Sequence, residues 1–323
     1  MNKVLISIVI PTYNGTSTIS KTVDLIVSQF KSLKDKHLFE LCITDDDSID
    51  DTKKYLLKIS NKYSFINCFY NKKRLGMDGN FLKAGLNASG KYIWFFGQDD
   101  LPKNNAINKV INILKNNEFG QLYIDYEQFS EKKHRIVCNS MIKLQSIKPL
   151  KNKLNIFNSA KEYFLALNDV PSFLPATIMK REYLLDKRLK KFAGTHFVQY
   201  AAFMLNLNNA PTGVFKEVLI KGIIPVKGWQ DNGSKLFEIT LGYIHSQYLV
   251  NKIDSSCFSS EALSNKKIKF LKNWPKLLTL STYLGLKIKS ESFSIIRKIF
   301  NPVVSFGLVL SAKMFLLVAS IFN

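Results

Sequence analysis

The chain holds 323 residues, 46% of them hydrophobic, enough to bury the core of one large domain with an appendage. Its 46 Lys and Arg against 25 Asp and Glu give a formal charge of +21, which suits nucleic acid, an anionic membrane or a phosphate-bearing substrate. A Lys/Asn/Ile-rich composition supplies much of that lysine, so charge alone selects no partner. Cys42, Cys68, Cys138 and Cys257 stand far apart with no CxxC pair, which argues against a zinc site and a disulfide framework.

The start, "MNKVLISIVIPTYNG", has an apolar run too short for a secretory leader and reads as a first strand, Leu5–Ile10. The chain is accordingly expected in the cytoplasm. Further apolar runs at Leu38–Thr44, Ile66–Tyr70 and Tyr92–Phe96 predict strands. The 3.6-residue pattern predicts helices near Ser17–Gln29, Asp51–Asn61 and Asp78–Ala88 between them. Continuous apolar strands alternating with helices predict an α/β fold, a mainly parallel sheet covered on both faces. After Pro102 the pattern gives a helix over Asn104–Lys115 and strands around Gln121–Gln128 and Arg135–Cys138. A helix near Ala160–Leu167, an extended stretch Ser172–Met179 and a helix over Phe197–Leu207 follow, and from Gly233 onward the pattern is helical. A division at residue 230 is expected, with a basic helical region over 231–323.

Ligands of such sheets bind outside the carboxyl ends of the strands. The residues with chemistry fall there: Pro11–Asn14, Asp45–Asp47, Asn71–Gly76 and Gly97–Asp100. Five aspartates crowd Asp45–Asp51. Asp50 and Asp51 suit a helix start, where acids are favoured by the macrodipole, with Ser48 or Asp50 as the N-cap. Asp45 and Asp46, at the strand's end, suit acceptors for a base N–H or a ribose hydroxyl. In "KYIWFFGQDDLP" a buried-looking strand runs straight into paired carboxylates, which need water or a cation to offset their repulsion.

"ISIVIPTYNG", "CITDDDSIDDT", "NKKRLGMDGNF" and "ASGKYIWFFGQDD" occur in the order and at the spacing of family-2 glycosyltransferases with the GT-A fold. The last two resemble the abequosyltransferase-like branch of bacterial O-antigen and capsule assembly. The resemblance covers about the first third of the chain strongly. It implies a nucleotide-sugar donor, UDP-linked by preference over dTDP-, GDP- or CDP-linked. Pro11, Thr12, Tyr13 and Asn14 would line the nucleoside, and Asp45, with Asp46 beside it, would hold base or ribose. Gly76, Asp78 and Asn80 match a donor-side G-x-D-x-N pattern, although Gly76 also reads as a turn glycine and Asn80 as a helix-surface residue. "GQDD" stands where the family holds a divalent cation, Mn²⁺ or Mg²⁺, against the diphosphate. Asp99 is the expected metal contact and Asp100 a second ligand or orienter. Gln98, where the branch often has an acid, is left to bond a ribose hydroxyl or a metal-bound water.

An inverting transfer needs a base for the acceptor hydroxyl. The corresponding stretch, "FAGTHFVQYAAFM", has no acid, so His196 is the candidate, with Gln199 to orient the acceptor and Asp231 of "VKGWQDNGS" in reserve. His37, His134 and His245 read as surface or structural. The apolar run Val303–Phe322 carries Lys313 in its middle and reads as interfacial rather than spanning. Upstream, Lys266, Lys267, Lys269, Lys272 and Lys276 alternate with Trp274 and other apolar residues, suiting an anionic membrane surface and, through it, a lipid-diphosphate-linked saccharide acceptor at the inner membrane. An ordinary helical subdomain remains the other reading of this region. A nucleotidyltransferase of similar fold and a basic scaffold or nucleic-acid binder are the competing functions. "PTYNGTSTIS" lacks the glycine-rich basic loop of the first, and an acidic rim argues against the second.

Overall fold

Ile6, Ile8, Val9 and Ile10 are buried on both faces of the first strand, as expected where helices cover both sides of a parallel sheet. A computed structural model describes residues 4–144, 153–167, 171–226 and 233–257, with positions 271, 274, 295, 296, 298–300, 308, 311 and 312. Strands β1 (Ile6–Thr12), β2 (Phe39–Asp45), β3 (Ile66–Tyr70) and β4 (Tyr92–Phe95) alternate with helices α1 (Ile19–Lys31), α2 (Thr52–Lys62) and α3 (Gly76–Asn87). Then come β5 (Leu101–Pro102), α4 (Ala106–Asn116), β6 (Gln121–Ser130), β7 (Arg135–Cys138), β8 (Leu154–Phe157) and α5 (Ala160–Leu167). β9 (Thr177–Lys180), α6 (Val198–Met204), β10 (Thr212–Ile224) and α7 (Gly233–Ile253) complete the set.

Among the described residues the strands form one sheet in the order β3-β2-β1-β4-β9-β6-β10-β5, with β7 on β6 and β8 on β10. The first four are parallel. β9 then runs antiparallel to both β4 and β6, while β10 is parallel to β6 and antiparallel to β5. The mainly parallel sheet of the sequence reading is thus its first half, continued by a mixed second half.

Helices α1 and α4 cover one face, each with a stripe at helical spacing: Ile19, Val23, Ile26 and Val27 on α1, and Ile107, Val110, Ile111 and Leu114 on α4. Gln29 joins them, donating to Lys103 O (3.0 Å) and accepting from Ile107 N (3.1 Å). On α3, Phe81 stacks on Phe95 of β4 (centroids 3.8 Å). Trp94 donates its indole N–H to Pro175 O (2.8 Å), tying β4 to the segment before β9.

Two expectations change. Ser172–Met179 is strand only from Thr177, where β9 begins, and Leu174–Ala176 before it is a short 3₁₀ turn, because Pro175 favours the start of a turn over a ladder. Trp274, expected at a membrane surface, is buried with Ile296, Ile299 and Leu308, meets Phe237 edge-on (5.6 Å), and donates to Ser311 Oγ (3.0 Å). The remaining lysine-rich stretch and most of Val303–Phe322 lie outside the described residues, as does the expected division at residue 230. Among the described residues no helix is long and apolar enough to cross a membrane.

Candidate active site

Parallel register brings the ends of the first strands to one edge: Thr12 pairs with Asp45, and Asp45 with Tyr70. Phe96 N donates to Val9 O (2.9 Å), so the chain leaving β4 emerges beside the end of β1. A 410 Å³ cavity opens at this edge. Pro11 and Thr12 line it from β1 with Tyr13 just after, Asp46 from the turn after β2, Gly76, Asp78 and Asn80 from α3, and Gly97, Gln98 and Asp99 from the turn after β4.

The acidic run folds the rim. Asp45 is fully buried and accepts from Ser48 N (3.0 Å) and Ser48 Oγ, so it closes a turn and does not line the cavity. Asp46 reaches across to the start of α3, accepting from Leu75 N (2.8 Å), Gly76 N (2.9 Å) and Asn71 Nδ2 (2.9 Å). Three donors on one carboxylate fix the loop, and Gly76 enters it at φ 76°, where a side chain would be strained. Asn80 is an internal tie rather than a helix-surface residue, donating to Thr12 O (3.3 Å) and Thr44 O (3.2 Å) and accepting from Asn71 (3.0 Å). Asn14, at φ 49°, holds Ser48 Oγ (2.9 Å) and Ile49 N (3.1 Å) outside the cavity wall. Asp50 accepts from Thr52 N (3.0 Å) at the start of α2, whose N-cap position is Asp51.

Gln98 has a defined task. Its Oε1 accepts from Thr12 Oγ1 (2.6 Å) and Tyr13 N (3.2 Å), binding the end of β4 to the end of β1. Thr22 Oγ1 lies 3.1 Å from both Gln98 O and Asp100 O and seats the turn on α1. Asp99 lines the cavity, while Asp100 is buried behind it and accepts from Gly97 N (3.2 Å). A Cβ at position 97 would come within 2.5 Å of Asp100 Oδ2, so an acid there could not share this turn unchanged. Burial, with the Glu131 charge adding to it, holds the Asp99 carboxyl above its ordinary value. Burial and the adjacent Asp99 push Asp100 well above its own. Among the described residues neither makes an ion pair.

Gln199 of α6 and Leu174 complete the lining, and the turn before α6 packs behind it on Asp78. Asp78, on α3, accepts from His196 N (3.0 Å), and burial keeps its carboxyl raised although His196, Gly194 and Val198 all bond to it. His196 sits at φ 65° with Nδ1 buried and unpartnered among the described residues, and its ring does not line the cavity. Gln199, one turn later, does. Asp231 lies outside the described residues. The sequence reading missed Arg74, Met77, Phe81 and Leu174, all in the cavity wall. Arg74, whose guanidinium lies 3.9 Å over the Tyr13 ring, is the cation of this wall. Its one signal was its place beside the G-x-D-x-N pattern, hidden in so basic a chain.

A family model described as glycosyl transferase family 2 matches residues 7–184, which include all four rim segments. Among curated proteins, the chain is 32% identical over 127 residues to the Escherichia coli UDP-Glc:alpha-D-GlcNAc-diphosphoundecaprenol beta-1,3-glucosyltransferase WfgD, covering 39% of this chain and 47% of that protein. It is 38% identical over 97 residues to abequosyltransferase RfbV of Salmonella typhimurium, covering 30% and 28%. An uncharacterised glycosyltransferase of Rickettsia prowazekii is 31% identical over 138 residues, covering 42% and 40%. The matched parts thus span less than half of these relatives. The S. aureus TarS 1–349 structure in complex with UDP-GlcNAc superposes with a TM-score of 0.54 at 14% identity, over 90% of this chain and 83% of that one, a likeness of fold. With the family model spanning more than half its length and the rim built from the matched segments, the chain belongs to glycosyl transferase family 2 and has the GT-A fold.

Proposed function

We propose that the protein transfers a sugar from a nucleotide-sugar donor to a saccharide acceptor, with inversion at the anomeric carbon, in surface-polysaccharide assembly. The observation that carries this is the single cavity wall to which four strand ends contribute, with Asp99 and Arg74 as its charged side chains beside Asp46 and Asp78. A UDP-linked donor is favoured. WfgD is named for UDP-Glc and TarS was solved with UDP-GlcNAc. The name of WfgD, with its GlcNAc-diphosphoundecaprenol acceptor, likewise supports a lipid-diphosphate-linked saccharide acceptor, here taken as one of O-antigen or capsule assembly met at the cytoplasmic face of the inner membrane.

The nucleoside would lie along Pro11, Thr12 and Tyr13, with Asn14 and Asp45 shaping that wall from behind. Asp46 would act by holding the Asn71–Gly76 loop against the donor. Asp99, partly buried, without an ion pair among the described residues and held above its ordinary pKa, suits a hard divalent cation, Mn²⁺ or Mg²⁺, with Asp100 supporting it. Such a cation supplies charge to offset the departing diphosphate. Gln98 is committed to Thr12 and Tyr13, so its part in the donor site is to set the angle between β1 and the metal carboxylate.

His196 is the proposed base, with Asp231 the alternative; because the His196 ring stands behind the cavity wall, next to Asp78, it would serve only an acceptor hydroxyl that reaches past Asp78. The acceptor hydroxyl would give its proton to the base as its oxygen bonds the anomeric carbon and the bond to the diphosphate oxygen breaks. The test is a transfer assay with a UDP-sugar and a diphosphoundecaprenol-linked GlcNAc acceptor, read by NMR. Release of UDP with a product of inverted anomeric configuration supports the reading, and a product of retained configuration refutes the inversion. No transfer from any nucleotide sugar to any lipid-linked acceptor would refute the function.

A further inference from the structure

One face beside the cavity mouth joins unpaired cations to exposed apolar side chains. The segment from Arg181 to His196 runs back along α3. Arg181 donates to Leu86 O (3.3 Å) at the end of α3, and Leu184 packs so closely on Gly85 that a Cβ there would collide with it. At the other end His196 N meets Asp78 (3.0 Å) in the first turn of α3. Leu189 and Phe192 point inward and are buried, which turns Lys187, Lys190 and Lys191 outward, all exposed. The outer side of α3 adds exposed Lys83, and the loop before it adds Lys72 and Lys73. Among the described residues none of these six lysines makes an ion pair, whereas Arg188 is neutralised by Asp186.

Apolar side chains are interspersed with those charges. Leu185 is 60% exposed, Met77 53%, and Leu75 and Leu86 are exposed as well. Met77 also lines the cavity, so the face leads directly to the site. Basic residues among exposed Leu and Met match an anionic bilayer surface, where the cations meet lipid phosphates and the apolar chains enter the headgroup boundary. A nucleic acid would leave those apolar chains in water. Helix α2 also carries lysines and an exposed Leu57, but Asp47, Asp50 and Asp51 stand at its start and oppose its field.

We infer that this face, the outer side of α3 together with residues 185–191, docks the catalytic domain on an anionic lipid leaflet and sets the cavity mouth at the membrane surface. The purpose of the docking rests on the sugar-transfer reading, while vesicle binding is measured independently of it. The test is cosedimentation of the full chain with phosphatidylcholine vesicles containing 30% phosphatidylglycerol, against phosphatidylcholine alone. Binding is expected with the anionic vesicles alone and should fall as salt rises. The Lys187→Glu/Lys190→Glu/Lys191→Glu variant should lose on the order of 100-fold in vesicle affinity, and Leu185→Ser a smaller factor. Nucleotide affinity, measured by calorimetry on the same variants, should be unchanged, which shows that they are folded. A triple variant that binds vesicles like the wild type overturns the inference. So does a wild type that is retained by duplex DNA and ignores the vesicles. Vesicle binding without nucleotide binding would instead sink the transferase reading and leave the docking face standing.

Discussion

Asp99 and Asp100 are held in a state that folding alone does not favour. Their folded pKa values are raised, so in the metal-free protein stability falls as pH climbs from the ordinary carboxylate value of 3.8 to the raised folded values, and stays lower above them. Asp100→Asn should therefore raise the metal-free Tm by a few degrees at neutral pH, since its amide oxygen can still accept from Gly97 N. The same change should weaken metal-dependent nucleotide binding. Scanning calorimetry and titration on one sample separate the two effects, and a lowered Tm would show that the pair serves the fold rather than a cation. At His196 the left-handed backbone suggests Asn as the replacement, because Asn tolerates positive φ. His196→Asn should keep nucleotide affinity and lose about 100-fold or more in kcat. Unchanged kcat would move the base to Asp231. The place of the paired acids at the rim was legible from sequence, because carboxylates directly after an apolar run need water or a cation to offset their repulsion, and the structure sets Asp99 in the cavity wall. The tasks of Asp45, Asp46 and Gln98 were not, since their partners, Ser48, the Leu75–Gly76 amides and Thr12, are fixed by how the strand ends meet.

Among the elements, the edge of the sheet opposite the cavity is held by Glu40 of β2. It accepts from Ser7 Oγ (2.6 Å) on β1, Asn67 Nδ2 (3.0 Å) on β3 and Ser89 N (2.7 Å) before β4. Burial alone would raise this carboxyl, but the bonds from Ser7 and Ser89 outweigh it and hold the pKa below its ordinary 4.5. A lowered pKa means that the contribution is complete above about 4.5 and is lost as pH falls from there through the folded value. Glu40→Gln should cost about 1–3 kcal/mol at pH 7, with the difference shrinking below pH 4, as read by urea unfolding at both pH values. Gly85→Val should destabilise by a comparable amount, because α3 lies against Leu184 and Phe95 with no room for a Cβ. Strands β1 to β4 were readable because each is a short, mostly apolar run set between helical patterns, with Ser7, Glu40 and Asn67 too isolated to break it. β10 was not: Lys216, Glu217 and Lys221 interrupt it, and register shifts at Val218 break the two-residue period against β6. β9 was half visible, with Pro175 turning the chain just before it.

For the whole molecule, a parallel half-sheet supplies the rim and a mixed half-sheet carries α6 to the other side of it. The excess charge of the chain, which selected no partner from composition, has a local expression in the face beside the cavity mouth. In the proposed transfer the cavity binds a nucleoside diphosphate through a cation on Asp99. Isothermal titration of UDP, dTDP, GDP and CDP into the wild type and Asp99→Ala, each with and without Mn²⁺, reads that binding. Micromolar binding of one nucleotide, UDP first, is expected in the wild type with Mn²⁺ and should weaken at least 100-fold without the metal or without the carboxylate, while the Tm of the variant is retained. Equal binding by Asp99→Ala, or no binding of any of the four nucleotides by the wild type, would contradict it.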